Sequence, residues 1–266
     1  MTAPNHPPVI DDEATLTNAG TYARTAVTLG LTLVTLVGCG VVTFNSQSEG
    51  QRIAGTLRKP NGDGPFPAVV LMHGCGGVQP GNEQWATDLT KWGYVTLLVD
   101  SFGPRGLSEI CTNFGRLGVT DRTSDAYGAL EYLRTMAFVD KERVALMGWS
   151  HGGMVVLSSM WAHRRPRTGG FRAGVALYPY CDYSSIYAPV LVLIGDADDW
   201  TPVVRCDVFK NNSMVELKVY RGAPHSFDNP GLPRSYLGHS LGYDRAATAD
   251  ARDRVREFLG RHLRGQ

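Results

Sequence analysis

Two runs of five residues, Ala68-Val-Val-Leu-Met72 and Val190-Leu-Val-Leu-Ile194, are apolar without interruption. A strand with one wet face alternates apolar and polar positions. An unbroken apolar strand is covered on both faces, as in a parallel sheet layered by helices. Further strand-like runs occupy 41–45, 51–57, 95–99, 144–148, 174–178 and 214–220, each bounded by Gly, Pro or polar residues. Between them apolar residues recur three and four apart. Ala126, Ala129, Leu130, Leu133 and Ala137 fall on one helical face, and Ala251, Val255, Phe258, Leu259 and Leu263 on another. The alternation predicts an α/β fold, a mostly parallel central sheet flanked by helices on both faces. With no internal repeat or long linker, 46–266 reads as one catalytic domain and 1–45 as a leader. Ligands of open parallel sheets bind outside the carboxyl ends of the strands, and the wet stretch 101–118 is long enough to serve that rim.

Charge narrows the partners. With 26 Lys and Arg against 25 Asp and Glu the net charge is +1, too weak a field to hold a phosphate backbone, so no nucleic-acid partner is expected. The basic cluster Arg252, Arg254, Arg256, Arg261 and Arg264 alternates with apolar positions and reads as a solvated helix face. No charge occurs between Arg24 and Glu49, and 26–38 has the length of a signal-peptide core. Leu36-Val37-Gly38-Cys39 resembles the lipobox of bacterial lipoproteins, which makes Cys39 a lipidation candidate and a membrane tether through the N-terminus an expectation. Asp11, Asp12 and Glu13 are foreign to the start of such a leader. An uncleaved span and an ordinary N-terminus therefore stay open, with a cytoplasmic location as the alternative to export. The remaining cysteines, Cys75, Cys111, Cys181 and Cys206, are even in number, as suits an oxidising compartment. Of three possible connectivities, neighbouring loops favour 75 with 111 and 181 with 206; four free buried thiols are the alternative. No CxxC or HxxxH spacing points to a metal.

The chemistry gathers after three of the apolar runs. Val144-Ala-Leu-Met-Gly-Trp-Ser-His-Gly-Gly153 is a strand, then GxSxG, then the apolar start of a helix. In that context a sharp strand-to-helix turn pushes Ser150 out at the top of the sheet, and the helix N-terminus stabilises an anion beside it. A serine hydroxyl needs a base and an orienting acid, which in this architecture follow it along the chain. The run at 190–194 is followed by Asp196, Asp198 and Asp199, any of which could be the acid. His225, in Ala-Pro-His-Ser-Phe227, lies beyond the last strand run, whereas His163, His239 and His262 lack a preceding strand and read as surface residues. His73-Gly-Cys-Gly-Gly77 supplies a loop whose N–H groups can approach a substrate. The N–H groups of His151 and Cys75 are the expected oxyanion donors.

Taken together, HGCGG, GWSHGG, GDADDWTP and APHSF resemble the dienelactone hydrolase family of the α/β-hydrolase superfamily, over about 46–266. The resemblance implies an α/β-hydrolase fold and a triad in which Gly195, Asp198 and Pro202 match the family's acid motif, selecting Asp198 beside Ser150 and His225. Founding members carry a cysteine nucleophile and a Glu in the oxyanion loop, where this chain has Ser150 and Gly74. A serine esterase or lactonase acting on a small-molecule ester or lactone, without a cofactor, is therefore expected. A peptidase or acyltransferase on the same scaffold is the alternative; a non-catalytic binding protein would lack a triad member. Trp149, Trp200, Tyr178, Tyr180 and Phe102 follow strand ends and could wall an acyl pocket. Arg105 could pair with a substrate carboxylate or form a loop salt bridge.

Overall fold

The computed structural model describes residues 39–166, 169–230 and 234–264. The leader run and Leu36, Val37 and Gly38 lie outside the described residues. Eight strands form one sheet in the order β1-β2-β4-β3-β5-β6-β7-β8. They are β1 (Cys39–Asn45), β2 (Arg52–Arg58), β3 (Phe66–Met72), β4 (Val95–Asp100), β5 (Val139–Trp149), β6 (Ala173–Leu177), β7 (Val190–Gly195) and β8 (Val215–Tyr220). β1 and β2 pair antiparallel, as do β2 and β4, and every other pairing is parallel. β3, β6 and β7 are buried along almost their whole length, as their apolar runs require. β8 closes the sheet with Glu216 and Lys218 on its surface, charges that discourage a further strand from adding there.

Four helices cover the sheet: α1 (Pro80–Lys91), α2 (Val119–Arg134), α3 (His151–Met160) and α4 (Arg245–Arg264). The chain leaves β3 toward β4 on one side and later crosses from β4 to β5 on the other. Right-handed crossovers therefore set α1 on one face and α2 with α3 on the opposite face. Arg252 of α4 pairs with Asp88 of α1. The strand order reverses at β3, so the crevice beyond the carboxyl ends of β3 and β5 is where a ligand site forms. A hairpin of β9 (Arg234–Tyr236) and β10 (His239–Leu241) completes the described strands.

Three local expectations are corrected. α2 ends at Arg134, where Thr135 and Met136 donate back to Tyr132 and Leu133 in a tightened turn, so Ala137 is exposed beyond the helix. β5 begins at Val139 rather than 144. Its polar start pairs Phe66 with Val139 before a register shift, and no apolar run announces it. β1 begins at Cys39 rather than 41, so 39–45, read as the end of the leader, pair with β2 as an edge strand of the sheet; Cys39 lies opposite Arg58, at the sheet end away from the carboxyl rim.

Candidate active site

Ser150 sits between β5 and α3 with φ +51°, a conformation that a non-glycine residue adopts only when its surroundings impose it. The imposition is visible in its neighbours. A Cβ at Gly148 would lie 2.2 Å from the Gly152 carbonyl oxygen, and one at Gly152 would lie 2.0 Å from that of Met72. The turn can be that tight only with glycine at both places.

His225 follows β8 on a loop pinned by the Gly242 N–H, which donates to its carbonyl. The imidazole is buried, with Nε2 at 3.0 Å from Ser150 Oγ and Nδ1 at 2.7 Å from Asp198 Oδ2. Asp198 is fixed in turn. Its Oδ1 accepts from the N–H groups of Trp200 and Thr201 at 3.0 and 2.8 Å, and the Thr201 hydroxyl donates to Oδ2 at 2.8 Å. The other carboxylates of that loop have separate tasks. Asp196 accepts from the Gly222 N–H at 2.6 Å, closing the turn after β8. Asp199 accepts from Ser240 N–H and faces His239 Nδ1 at 3.3 Å, so it holds the β9–β10 hairpin. His239 is half-buried there rather than free on the surface, because its ring stacks on Trp200 at 4.8 Å.

A cavity of about 310 Å³ opens on Ser150 and His225, with Gly74, Cys75, Trp149, Tyr178, Trp200 and Tyr236 in its wall. Gly74 passes close to Ser150; a Cβ there would be 3.6 Å from that of the serine. Among the described residues, neither the Cys75 nor the His151 N–H has a protein acceptor. First-turn N–H groups of a helix have none inside it.

Three expected pocket residues are elsewhere. Phe102 is buried edge-on against His73. Tyr180 lies under the Arg205 guanidinium. Arg105 is turned to Asp125, which it grips through two hydrogen bonds of 2.8 and 2.9 Å, and to the Ser101 carbonyl. A buried bidentate ion pair leaves it no free fork for a substrate carboxylate.

The cysteines pair Cys75 with Cys111 and Cys181 with Cys206. The first bridge ties the His73–Gly77 loop to 101–118, and Ile110 N–H adds a hydrogen bond to the Cys75 carbonyl. Persistent disulfides mark a protein of an extracellular or periplasmic compartment. Among the described residues, no helix is long and apolar enough to cross a membrane.

Two buried groups escaped the sequence reading. Asp228 accepts from the indole N–H of Trp85 at 2.8 Å and of Trp149 at 3.0 Å, and from the Tyr178 hydroxyl at 2.7 Å. Burial, and then that carboxylate, hold the Tyr178 phenol well above its usual range, so it remains a donor. Behind the His73–Gly77 loop, Arg122 donates to His151 Nδ1 and to the His73 carbonyl. Burial first, then the Arg122 charge, pull both imidazoles down, His151 to about 3, so both are neutral. His73 Nδ1 lies 2.7 Å from the Gly74 carbonyl while Ser101 N–H points at Nε2, an arrangement that assigns its proton to Nδ1.

The dienelactone hydrolase family matches residues 53–263 of the chain. The protein belongs to that family. A "Probable 2-oxo-3-(5-oxofuran-2-ylidene)propanoate lactonase" of a Bradyrhizobium species is 27% identical over 207 residues, 68% of this chain and 81% of the relative. A "Probable dipeptidyl-aminopeptidase B" of Grosmannia clavigera is 30% identical over 132 residues, 46% of this chain but 13% of that longer protein. The structure of a dienelactone hydrolase-like promiscuous phosphotriesterase from metagenomic libraries superposes with a TM-score of 0.66 at 21% identity. The match covers 85% of this chain and 100% of the other, a likeness that speaks to the fold. This family member is thus a hydrolase of the α/β-hydrolase superfamily.

Proposed function

We propose that the protein is a serine hydrolase that cleaves carboxylic esters or lactones through Ser150, His225 and Asp198. The observation that carries the reading is the unbroken contact from Ser150 Oγ to His225 Nε2 and from His225 Nδ1 to Asp198. Asp198 accepts from Nδ1–H and so leaves Nε2 as the acceptor of the serine proton. As Oγ attacks the carbonyl carbon, its proton passes to Nε2, and Asp198 stabilises the imidazolium. The carbonyl oxygen becomes an oxyanion, held by the N–H groups of Cys75 and His151. His225 then protonates the leaving oxygen, and an acyl group remains on Ser150. Water, deprotonated by the same imidazole, releases the acid. Positioning, a base and two donors suffice for this sequence, and no cofactor enters it. The lactonase relative supports the ester and lactone class.

The peptidase relative carries its similarity within a far longer chain, so amide cleavage is the second reading, separated from the first by comparing matched esters and amides. The apolar leader and Cys39 belong to a further proposal, an exported protein tethered to the envelope by a lipid on that cysteine. Intact mass of envelope material reads it directly, and a chain starting at Met1 without lipid contradicts it. A fluorophosphonate is expected to label Ser150 and to leave Ser150→Ala unmodified. Folded wild-type protein that takes no label at neutral pH refutes the serine mechanism.

A further inference from the structure

Arg122 is wholly buried in the first turns of α2, where a guanidinium loses its hydration. Among the described residues no carboxylate lies at ion-pair distance from it, because Asp125, the acid on the same helix, is taken by Arg105. Among the described residues its Nε has no partner, and the Phe102 ring lies 5.0 Å beneath its carbon. Burial brings its pKa down to about 9, which still leaves it charged at neutral pH. An apolar residue of similar volume would be the cheaper occupant of such a place. What the charge touches suggests why it is there. Nη1 donates to His151 Nδ1 at 2.8 Å, and Nη2 donates to the His73 carbonyl at 2.6 Å. His151 carries one of the two N–H groups assigned above to the oxyanion. His73 opens the Gly74-Cys75 turn that carries the other.

We propose that Arg122 is a positioning residue for the oxyanion hole, one guanidinium that fixes the spacing of the two donor loops and sets a positive charge behind them. The inference rests on the serine-hydrolase reading. Its geometry is rigid at both ends: the fork is planar, one arm is bound to main chain, and the other is bound to an imidazole that burial keeps neutral. The donors that meet the transition state are therefore placed before substrate arrives, which is the condition for electrostatic stabilisation without reorganisation.

The test compares wild type with Arg122→Lys, Arg122→Gln and Arg122→Gly. It reads kcat and KM for a neutral 4-nitrophenyl ester, the inhibition constant of a trifluoromethyl ketone, and fluorophosphonate labelling of Ser150. The ketone adds Ser150 Oγ to form a tetrahedral oxyanion, so it samples the hole itself. The expected result is a fall in kcat of roughly 10²–10³-fold, the size of a lost oxyanion donor. Ketone affinity should weaken in parallel and KM should change little, and methylguanidinium should restore part of the rate to Arg122→Gly. A merely structural role would move thermal stability without this split. Unchanged kcat in a folded variant, or a change confined to KM, overturns the proposal. Where the Arg122 variants do not fold, His151→Gln keeps the arginine and the backbone N–H but alters the link. A smaller fall in kcat, again with weakened ketone binding, is expected there. Unchanged kcat, or failure of this variant to fold as well, assigns the arginine to the core and overturns the proposal. Wild-type Ser150 that resists the fluorophosphonate refutes the underlying reading, whereas a labelled Ser150 with kcat indifferent to Arg122 removes this inference alone.

Discussion

The two flanks of Ser150 are built with opposite charge. On one side stand the N-terminus of α3, the His73–Gly77 loop and the buried Arg122; on the other stand the buried carboxylates Asp198 and Asp228. In the ester cleavage proposed above the first side would receive an oxyanion and the second an imidazolium, so each flank would carry the sign opposite to the charge that develops there. The two carboxylates differ in turn. Asp198 is paired with an imidazole, a group that can gain and lose a proton, whereas Asp228 is surrounded by two indoles and a phenol, donors that do not titrate near neutral pH. One carboxylate can follow a reaction; the other can hold a wall. Similar burial thus serves chemistry or architecture according to the partner.

Breaking the comparison at Asp198 should have the largest effect. Asp198→Asn keeps the volume but presents an amide to Nδ1, and the loss of the correct tautomer should lower kcat by roughly 10⁴-fold. Steady-state kinetics checks it, and a loss below about tenfold would deny Asp198 its orienting role. On the opposite flank, the paired change Cys75→Ser with Cys111→Ser frees the donor loop, and displacement of this kind lowers kcat by up to about 10²-fold. Its control is Cys181→Ser with Cys206→Ser. The enclosed separations, 36 and 25 residues, correspond to similar losses of stability, roughly 3–4 kcal/mol in the chain-entropy view. Melting should fall in both pairs, but turnover only in the first.

A smaller effect is expected at Asp228. Asp228→Asn keeps one acceptor oxygen and turns an NH2 toward donors, so stability should drop by about 1–3 kcal/mol. Turnover should change far less than in Asp198→Asn. Denaturant unfolding beside kinetics separates these, and equal kinetic damage at both positions would erase the distinction.

The gentlest probe is pH. His73 and His151 are held neutral in the folded protein, while in the unfolded chain they take protons near 6.5. Below that value the unfolded state binds more protons, so stability should fall as pH drops, by at most about 1.4 kcal/mol per unit for each imidazole. For His151 the decline continues to about 3. Unfolding midpoints measured across this range should slope more gently in His151→Gln.

Much of this arrangement is written locally in the chain. Buried parallel strands leave unbroken apolar runs, which is why β3, β6 and β7 are legible from their own residues, while β1, β2 and β8 show as β-branched runs bounded by turn or polar residues. The start of β5 and the β9–β10 hairpin are not legible, because short polar strands owe their pairing to neighbours rather than to their own pattern. Ser150 and His225 stand in recognisable strand-end contexts, and the family resemblance separates Asp198 from the acids beside it. Arg122 and Asp228 have no local signature. Their partners lie 29, 49, 50, 79 and 143 positions away, and only the folded chain brings them together. Arg105 takes the second of the two roles left open for it, a salt bridge, with a partner that is 20 residues on, inside a helix, and leaves no trace in the sequence around it.

The start of β1 sets a direction. Cys39 lies opposite Arg58, at the edge remote from the strand ends that carry Ser150 and the cavity mouth. An enzyme fastened to a surface by this cysteine would stand with its entrance turned outward, and its substrates would arrive from the surrounding fluid rather than from the layer beneath.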